Sequence, residues 1–261
     1  MGLERGEDEM VGLEEIKRKL GEWIENKEAY KRCRVSIPNF LIDIERHNGY
    51  SYIQRYIAYT LANNDLREFT GLDLSVEYKL DGSYRQLEDI INDINYNIPV
   101  YENKYKGVVA VDITELANYL NEEQVDYFFD AINAISENAT VITFVDTSGA
   151  KEKLLFDMAS KRLENIDIYH IGRYSYFDLA RIAYERIQDK GIIADDKDYF
   201  LNVLSVLAMQ MNIEVAADTF CLVDRIALAA DYSGYNPKIT KDIVRGFISF
   251  DDTEKGAYHE R

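Results

Sequence analysis

Proline is nearly absent from this chain, with three in 261 residues. With so few, and no low-complexity tract, there is no stiff Pro-rich linker of the kind that separates independent modules. Cysteine is as sparse. Cys33 and Cys221 lie far apart in no ligand or C-x-x-C spacing, which leaves two ordinary thiols and excludes a disulfide framework or a thiol redox motif. The three histidines, His47, His170 and His259, show no metal-ligand spacing, and no Ser-His-Asp arrangement can be assembled from them. No apolar run approaches the roughly 20 residues of a bilayer span. The opening MGLERGEDEM has no signal-peptide core, so the expected location is the cytoplasm. Positive charge is also short: 30 Lys and Arg stand against 47 Asp and Glu, a net charge of -17. Phosphate surfaces demand clustered Lys and Arg, so neither nucleic acid nor membrane is an expected partner, whereas a basic protein is allowed.

What is present suits a packed soluble domain. Hydrophobic residues make up 47% and charged residues 30%. The stretch Pro38 to Leu61 organises the rest. Phe40-Leu41-Ile42 reads as a buried strand within Val35 to Ile44. A polar turn, Glu45-Arg46-His47-Asn48-Gly49, follows. Ile53, Tyr56, Ile57 and Leu61 then recur at helical spacing from Tyr50 to Ala62. Strand, loop and helix in this order are the setting of a phosphate-binding loop, G-x-x-x-x-G-K-[ST]. The eight aligned residues run from Ile44 to Ser51. Gly49 and Ser51 match, Ile44 replaces the first Gly, and Tyr50 replaces the Lys.

Further strands are expected at Phe69 to Tyr78, Gly107 to Val111, Thr140 to Val145 and Ile166 to Ile171. Helices are expected at Met10 to Arg32, Tyr84 to Ile94, Leu116 to Ile135 and Lys151 to Leu163. Such alternation predicts a doubly wound parallel sheet. After Arg173 the strands stop, and Tyr176 to Lys190, Asp198 to Met211, Ala216 to Ala230 and Thr240 to Phe250 all read as helices. The expected division is an N-terminal linker helix at 1–34, an α/β core at 35–172 and a small all-α lid subdomain at 173–261.

In this order the chain resembles the AAA+ ATPase superfamily over nearly its whole length, within it the branch of Rubisco-activase-type and secretion-associated ATPases. Met10 to Lys17 is similar to the start of the family's linker helix. Tyr78-Lys79-Leu80-Asp81-Gly82 is similar to the pore-loop region, with Tyr78 either a peptide-gripping aromatic or one of twenty packing tyrosines. Gly107 to Asp112 resembles a Walker B strand, Val141 to Asp146 the sensor 1 strand, and Ile239 to Ile243 the start of a lid helix.

The resemblance implies a nucleotide pocket at Asn48, Gly49, Tyr50, Ser51 and Asp146, with Ser51 and Asp112 as weak candidates for a Mg²⁺ site. The departures from the family are systematic. The Lys is Tyr50, which either stacks on a base or fills the nucleotide's space. The water-activating Glu beside Asp112 is Ile113, with Glu115 two residues further. At sensor 1, Asp146 or Thr147 stands where a phosphate contact is required. The lid helix at Ala216 lacks its early Arg, since Arg225 comes two turns late. Arg162 is the candidate arginine finger, with Lys161 and Arg173 as competitors.

Three readings follow. One is a vestigial pocket, no cofactor and no hydrolysis, in a non-catalytic partner, adaptor or scaffold that works with protein partners, such as an active AAA+ subunit, in a homo- or hetero-oligomer. The alternative is an active ATPase that uses ATP and Mg²⁺ through displaced residues: Asp112, Glu115, Arg46 for the Lys and Arg162 in trans. A third is a regulator binding another anionic small molecule in the old pocket.

Overall fold

The computed structural model describes residues 13–67, 69, 75–79, 89, 106–119, 122–232, 234, 237–243 and 246. The chain divides into two compact units with the boundary between Gly172 and Arg173.

The first unit begins with α1 (Glu14–Glu25) and α2 (Lys27–Cys33). Two carboxylates in the first turn of α1 complement its dipole, and Ile16 and Leu20, four apart, are buried. The single helix expected from Met10 is thus broken at Asn26, and residues before 13 lie outside those described. Arg34, left-handed at φ 54°, ends α2. Pro38, with no N–H to donate, precedes β1 (Asn39–Ile44), so the strand starts later than the apolar pattern suggests. Then come α3 (Tyr50–Asn63), β2 (Ser75–Lys79), β3 (Val108–Asp112), α4 (Leu116–Tyr119), α5 (Glu122–Ser136), β4 (Thr140–Val145), α6 (Ala150–Arg162) and β5 (Ile166–Ile171). The expected helix at Tyr84 to Ile94 lies almost wholly outside the described residues.

The sheet is parallel at every pairing, in the order β2-β3-β4-β1-β5. From β1 the chain crosses to the far edge, returns through β3 and β4, and places β5 on the other flank of β1. All of β3 and β4 is buried, as a sheet covered on both faces requires. Leu41, Val109, Val111, Val141 and Val145 face a cluster with Phe128, Phe129 and Ile132 of α5 and Leu155, Phe156 and Ala159 of α6. The alternate residues of each strand point to the opposite face. That face carries α3, which packs over β2 and β3. This is the α/β architecture expected from the sequence.

In the second unit, α7 (Tyr176–Asp189) opens with a reciprocal capping box between Ser175 and Asp178. It is followed by β6 (Ile193–Ala194), α8 (Lys197–Gln210) capped by Asp196, a 3₁₀ turn (Ala216–Asp218), α9 (Thr219–Ala229) and β7 (Lys238–Ile239). Leu179, Ala183, Phe200, Leu204, Val223 and Ile226 form its core. Arg186 of α7 donates to the Ala216 carbonyl and the Thr219 hydroxyl and lies 3.8 Å from the centre of the Phe220 ring, which ties α7 to α9. The expectation that strands stop after Arg173 is corrected. β6 and β7 form a parallel pair, and Asp231 bridges Lys238. Two-residue strands are too short to show a period of two, so the sequence pattern cannot reveal them. Of the helix expected at Thr240 to Phe250, residues 241–243 are helical and most of the rest lies outside the described residues. No described helix is long and apolar enough to cross a membrane.

Candidate functional site

In an open parallel sheet, ligand crevices form beyond the carboxyl ends of the strands, at the point where the strand order reverses. Here that point is the end of β1, between β4 and β5. The loop after β1 bends through His47 (φ 68°) and Gly49 (φ 98°). Gly49 is the residue before the first turn of α3, and any side chain there is strained whatever the space around it. Asn48 is buried, and its N–H donates to the Glu45 carbonyl at 3.3 Å.

Tyr50 starts α3, and its side chain folds back under this loop. Only 8% of the residue is exposed. Its ring lies parallel to Phe144 of β4, with centres 4.5 Å apart and planes 11° apart. Its hydroxyl donates to the carbonyl of Ile44 at 3.1 Å. The loop's seventh residue is therefore hydrogen-bonded to its first. Burial, with Asp112 and Asp146 close by, raises the phenol pKa far above its ordinary value against the opposing Thr114 hydrogen bond and Arg46 charge. The group remains a neutral donor.

The carboxylates at the strand ends are held by hydrogen bonds. Asp112 Oδ1 accepts from the Thr114 N–H at 3.0 Å and the Thr114 hydroxyl at 2.7 Å. The same hydroxyl oxygen accepts from the Asp146 N–H at 3.0 Å, so Thr114 links the ends of β3 and β4. Asp146 accepts the N–H of Arg46 on one oxygen and that of Ser148 on the other, both at 3.0 Å. Burial works against the ionised Asp146, but the backbone N–H groups of Arg46 and Ser148, then the Ser148 hydroxyl and the Arg46 charge, bring its pKa below the ordinary value.

Glu115 forms a 2.6 Å ion pair with Arg46, each side chain about a third exposed. Burial lowers the Arg46 pKa, but the hydrogen bond to Glu115 and the charges of Asp112 and Glu115 more than reverse this. Ser51 donates its hydroxyl to Glu77 of β2 at 2.5 Å. Ile113 points away from the crevice, fully buried in the core with Leu116 and Phe129.

Gly49, Tyr50, Ser51, Asp112, Glu115 and Asp146, six positions taken from the sequence, thus meet at one end of the sheet. Arg162 does not join them. It ends α6, which runs antiparallel to the strands, and pairs with Asp126 at 2.9 Å. Tyr78 sits within β2, opposite Val111, and packs against the core cluster.

Sequence reasoning missed Thr114, Glu77 and a neighbouring group on β1. Asp43 accepts from the Thr147 hydroxyl at 2.8 Å and meets His170 Nδ1 at 3.0 Å. A carboxylate inside the apolar run Phe40 to Ile44 was the available signal for Asp43. Nothing local marks Thr114 or Glu77, whose partners are distant in sequence. Among the described residues, no three His, Cys, Asp or Glu side chains converge to hold a metal.

No protein-family model matches the chain, and no curated protein matches its sequence. Among solved structures it is similar to a mutant of RuvB from Thermotoga maritima, an AAA+ ATPase. The TM-score is 0.56 at 16% identity, over 93% of this chain and 71% of that one. At that identity the likeness establishes the fold alone: a parallel five-stranded α/β sheet with its helices, followed by a mostly helical part.

Proposed function

We propose that this AAA+-type chain does not hydrolyse ATP and serves as a non-catalytic partner, adaptor or scaffold, acting with other proteins such as an active AAA+ subunit. The observation that carries the reading is Tyr50. Where the resemblance calls for a lysine facing phosphates, a neutral phenol is packed on Phe144 and bonded to the loop's own first carbonyl. The space that a P-loop reserves for an anion is filled from within.

The neighbouring residues do not suit Mg²⁺–ATP either. A polyphosphate would meet Asp112, Asp146 and Glu115, while the nearby Arg46 is already neutralised by Glu115. Inside a partly walled crevice, like charges are screened less than at an open surface. Several oxygens that could ligate a cation are engaged: Asp112 Oδ1 by Thr114, both oxygens of Asp146 by N–H groups, and the Ser51 hydroxyl is turned toward Glu77. No carboxylate stands at Ile113 to activate water. The finer placement in the Rubisco-activase-type and secretion-associated branch, and work in an oligomer, belong to the same proposal and rest on the sequence resemblance.

The test is a thermal-shift titration with ATP and Mg²⁺. A ligand with a Kd of about 10 µM, supplied at about 5 mM, stabilises the native state by roughly 3.7 kcal/mol, or on the order of 10 °C in a chain of this size. The expected shift is under about 1 °C, with no phosphate release. The alternative of displaced catalytic residues has one observation in its favour, the presence of Arg46 and Glu115 at the mouth of the loop. It predicts the large shift, and turnover that Glu115→Gln abolishes.

A further inference from the structure

A chain of net charge -17 keeps one basic segment. From Lys17 to Arg34, seven Lys and Arg stand against Glu22, Glu25 and Glu28, a local balance of +4 that leaves -21 for the rest. The segment forms most of α1 and all of α2, and α2 buries none of its residues. Within it lies the only tryptophan. Trp23 packs against Tyr30, with ring centres 4.5 Å apart and planes tilted by 43°. The two rings, Lys27, Lys31, Val35, Ile37 and Leu66 line a shallow recess of about 30 Å³ with no carboxylate in its lining. Val35 is 48% exposed although apolar. Lys27 also reaches Asp65 at 3.2 Å, where the aspartate is largely in solvent.

This place is remote from the crevice. Val35 precedes the sheet at its amino end, and Leu66 follows α3, whose 14 residues span roughly 21 Å from the Gly49 loop. The recess therefore stands or falls independently of the ATP reading.

We propose that the recess docks a short acidic peptide segment of a partner protein, one apolar side chain resting its tip against Trp23, Tyr30 and Val35 while flanking carboxylates meet Lys27 and Lys31. Three arguments lead to this occupant. The hollow, at about 30 Å³, is far below the roughly 300 Å³ at which small-molecule sites begin, so it receives no more than the tip of one side chain. Tryptophan and tyrosine in a partly desolvated hollow are the residue types that dominate interface energetics. The charge pattern then selects the length. At physiological salt the Debye length is about 8 Å, so a short segment feels the local positive charge. A long polyanion, such as nucleic acid or an anionic bilayer, would also meet the acidic remainder of the surface and be repelled.

Because Trp23 is the only tryptophan, its fluorescence reports on the recess directly. The whole chain is titrated with a synthetic twelve-residue peptide of Asp and Glu around one central Leu, at about 0.15 M salt. The expected result is a saturable change in emission. Lys27→Glu/Lys31→Glu weakens binding by about ten-fold or more, higher salt weakens it too, and Val35→Asp weakens it with both lysines intact. Lys31→Glu alone, at an exposed position, provides a variant in which folding is not at risk.

Four results would overturn the proposal. One is no saturable change; another is equal affinity in the charge-reversed protein. A third is equal binding of a peptide with Ala in place of Leu, or of an oligonucleotide of the same charge, which would make the site a general polyanion patch. The last is self-association of the wild type that the double reversal abolishes, which would make the occupant a second copy of this chain.

Discussion

Truncating Tyr50 to alanine tests the site at the point where sequence and geometry meet. The residue is 92% buried by its 8% exposure, its ring is stacked on Phe144, and its hydroxyl is bonded to Ile44. Large-to-small changes of buried aromatic residues cost about 3–5 kcal/mol, part of it lost transfer energy and part the cavity left behind. Tyr50→Phe keeps the ring and removes only the hydroxyl. It should cost about 1 kcal/mol, the usual net value of a hydrogen bond with some penalty for the carbonyl left without its donor.

The two variants therefore separate packing from hydrogen bonding. Urea unfolding followed by circular dichroism measures both, with the wild-type slope retained as the check on two-state behaviour. If Tyr50 filled no space, as a side chain waiting to stack on a nucleotide would not, alanine would cost under about 1 kcal/mol, and that result refutes the reasoning. ATP affinity of the alanine variant gives a second reading. Emptying the loop leaves Asp112 and Asp146 in place, so ATP binding should remain weaker than about 1 mM.

Ile113→Glu, the change that would supply the missing base, places a carboxylate in the closed core and should destabilise the chain by several kcal/mol in the same assay, so that even Tyr50→Lys/Ile113→Glu gives no working ATPase; a variant as stable as the wild type would contradict the burial of Ile113. Asp146 titrates below its ordinary value in the folded state, so its contribution is complete above about pH 4, the unfolded value, and is lost as pH falls through the folded one. The stability gap between wild type and Asp146→Asn should accordingly be flat from about pH 5 to 7 and narrow below about pH 4, and a gap that grows on acidification would reverse the sign of the argument. Arg186→Ala removes two hydrogen bonds and a cation–π contact between α7 and α9, and thermal unfolding should show a loss of about 2–3 kcal/mol; a loss below about 0.5 kcal/mol would mean that the clamp is idle.

The sequence by itself determined the layers. Continuous apolar runs at Phe40 to Ile42, Val108 to Val111 and Val141 to Val145 have to be covered on both faces, and strands of that kind separated by helical periods leave little besides a parallel α/β sheet. It also marked Gly49, because the step from strand to helix needs a residue free to adopt positive φ. Tyr50 and Ile113 were legible as departures from a pattern.

What they do was decided by the tertiary structure. A tyrosine at the start of a helix can face solvent or turn inward. It turns inward here because β4 brings Phe144 alongside β1, and that adjacency depends on a strand order that no local residue encodes. Thr114 joins Asp112 to Asp146, and Glu77 takes the Ser51 hydroxyl, only because the crossover connections bring the ends of three strands together. The β6–β7 pair was likewise invisible, since two residues contain no period and the pairing is made across more than forty positions. Burial patterns are written along the chain, whereas hydrogen bonds between strand ends depend on which strands become neighbours, and packing settles that for the chain as a whole.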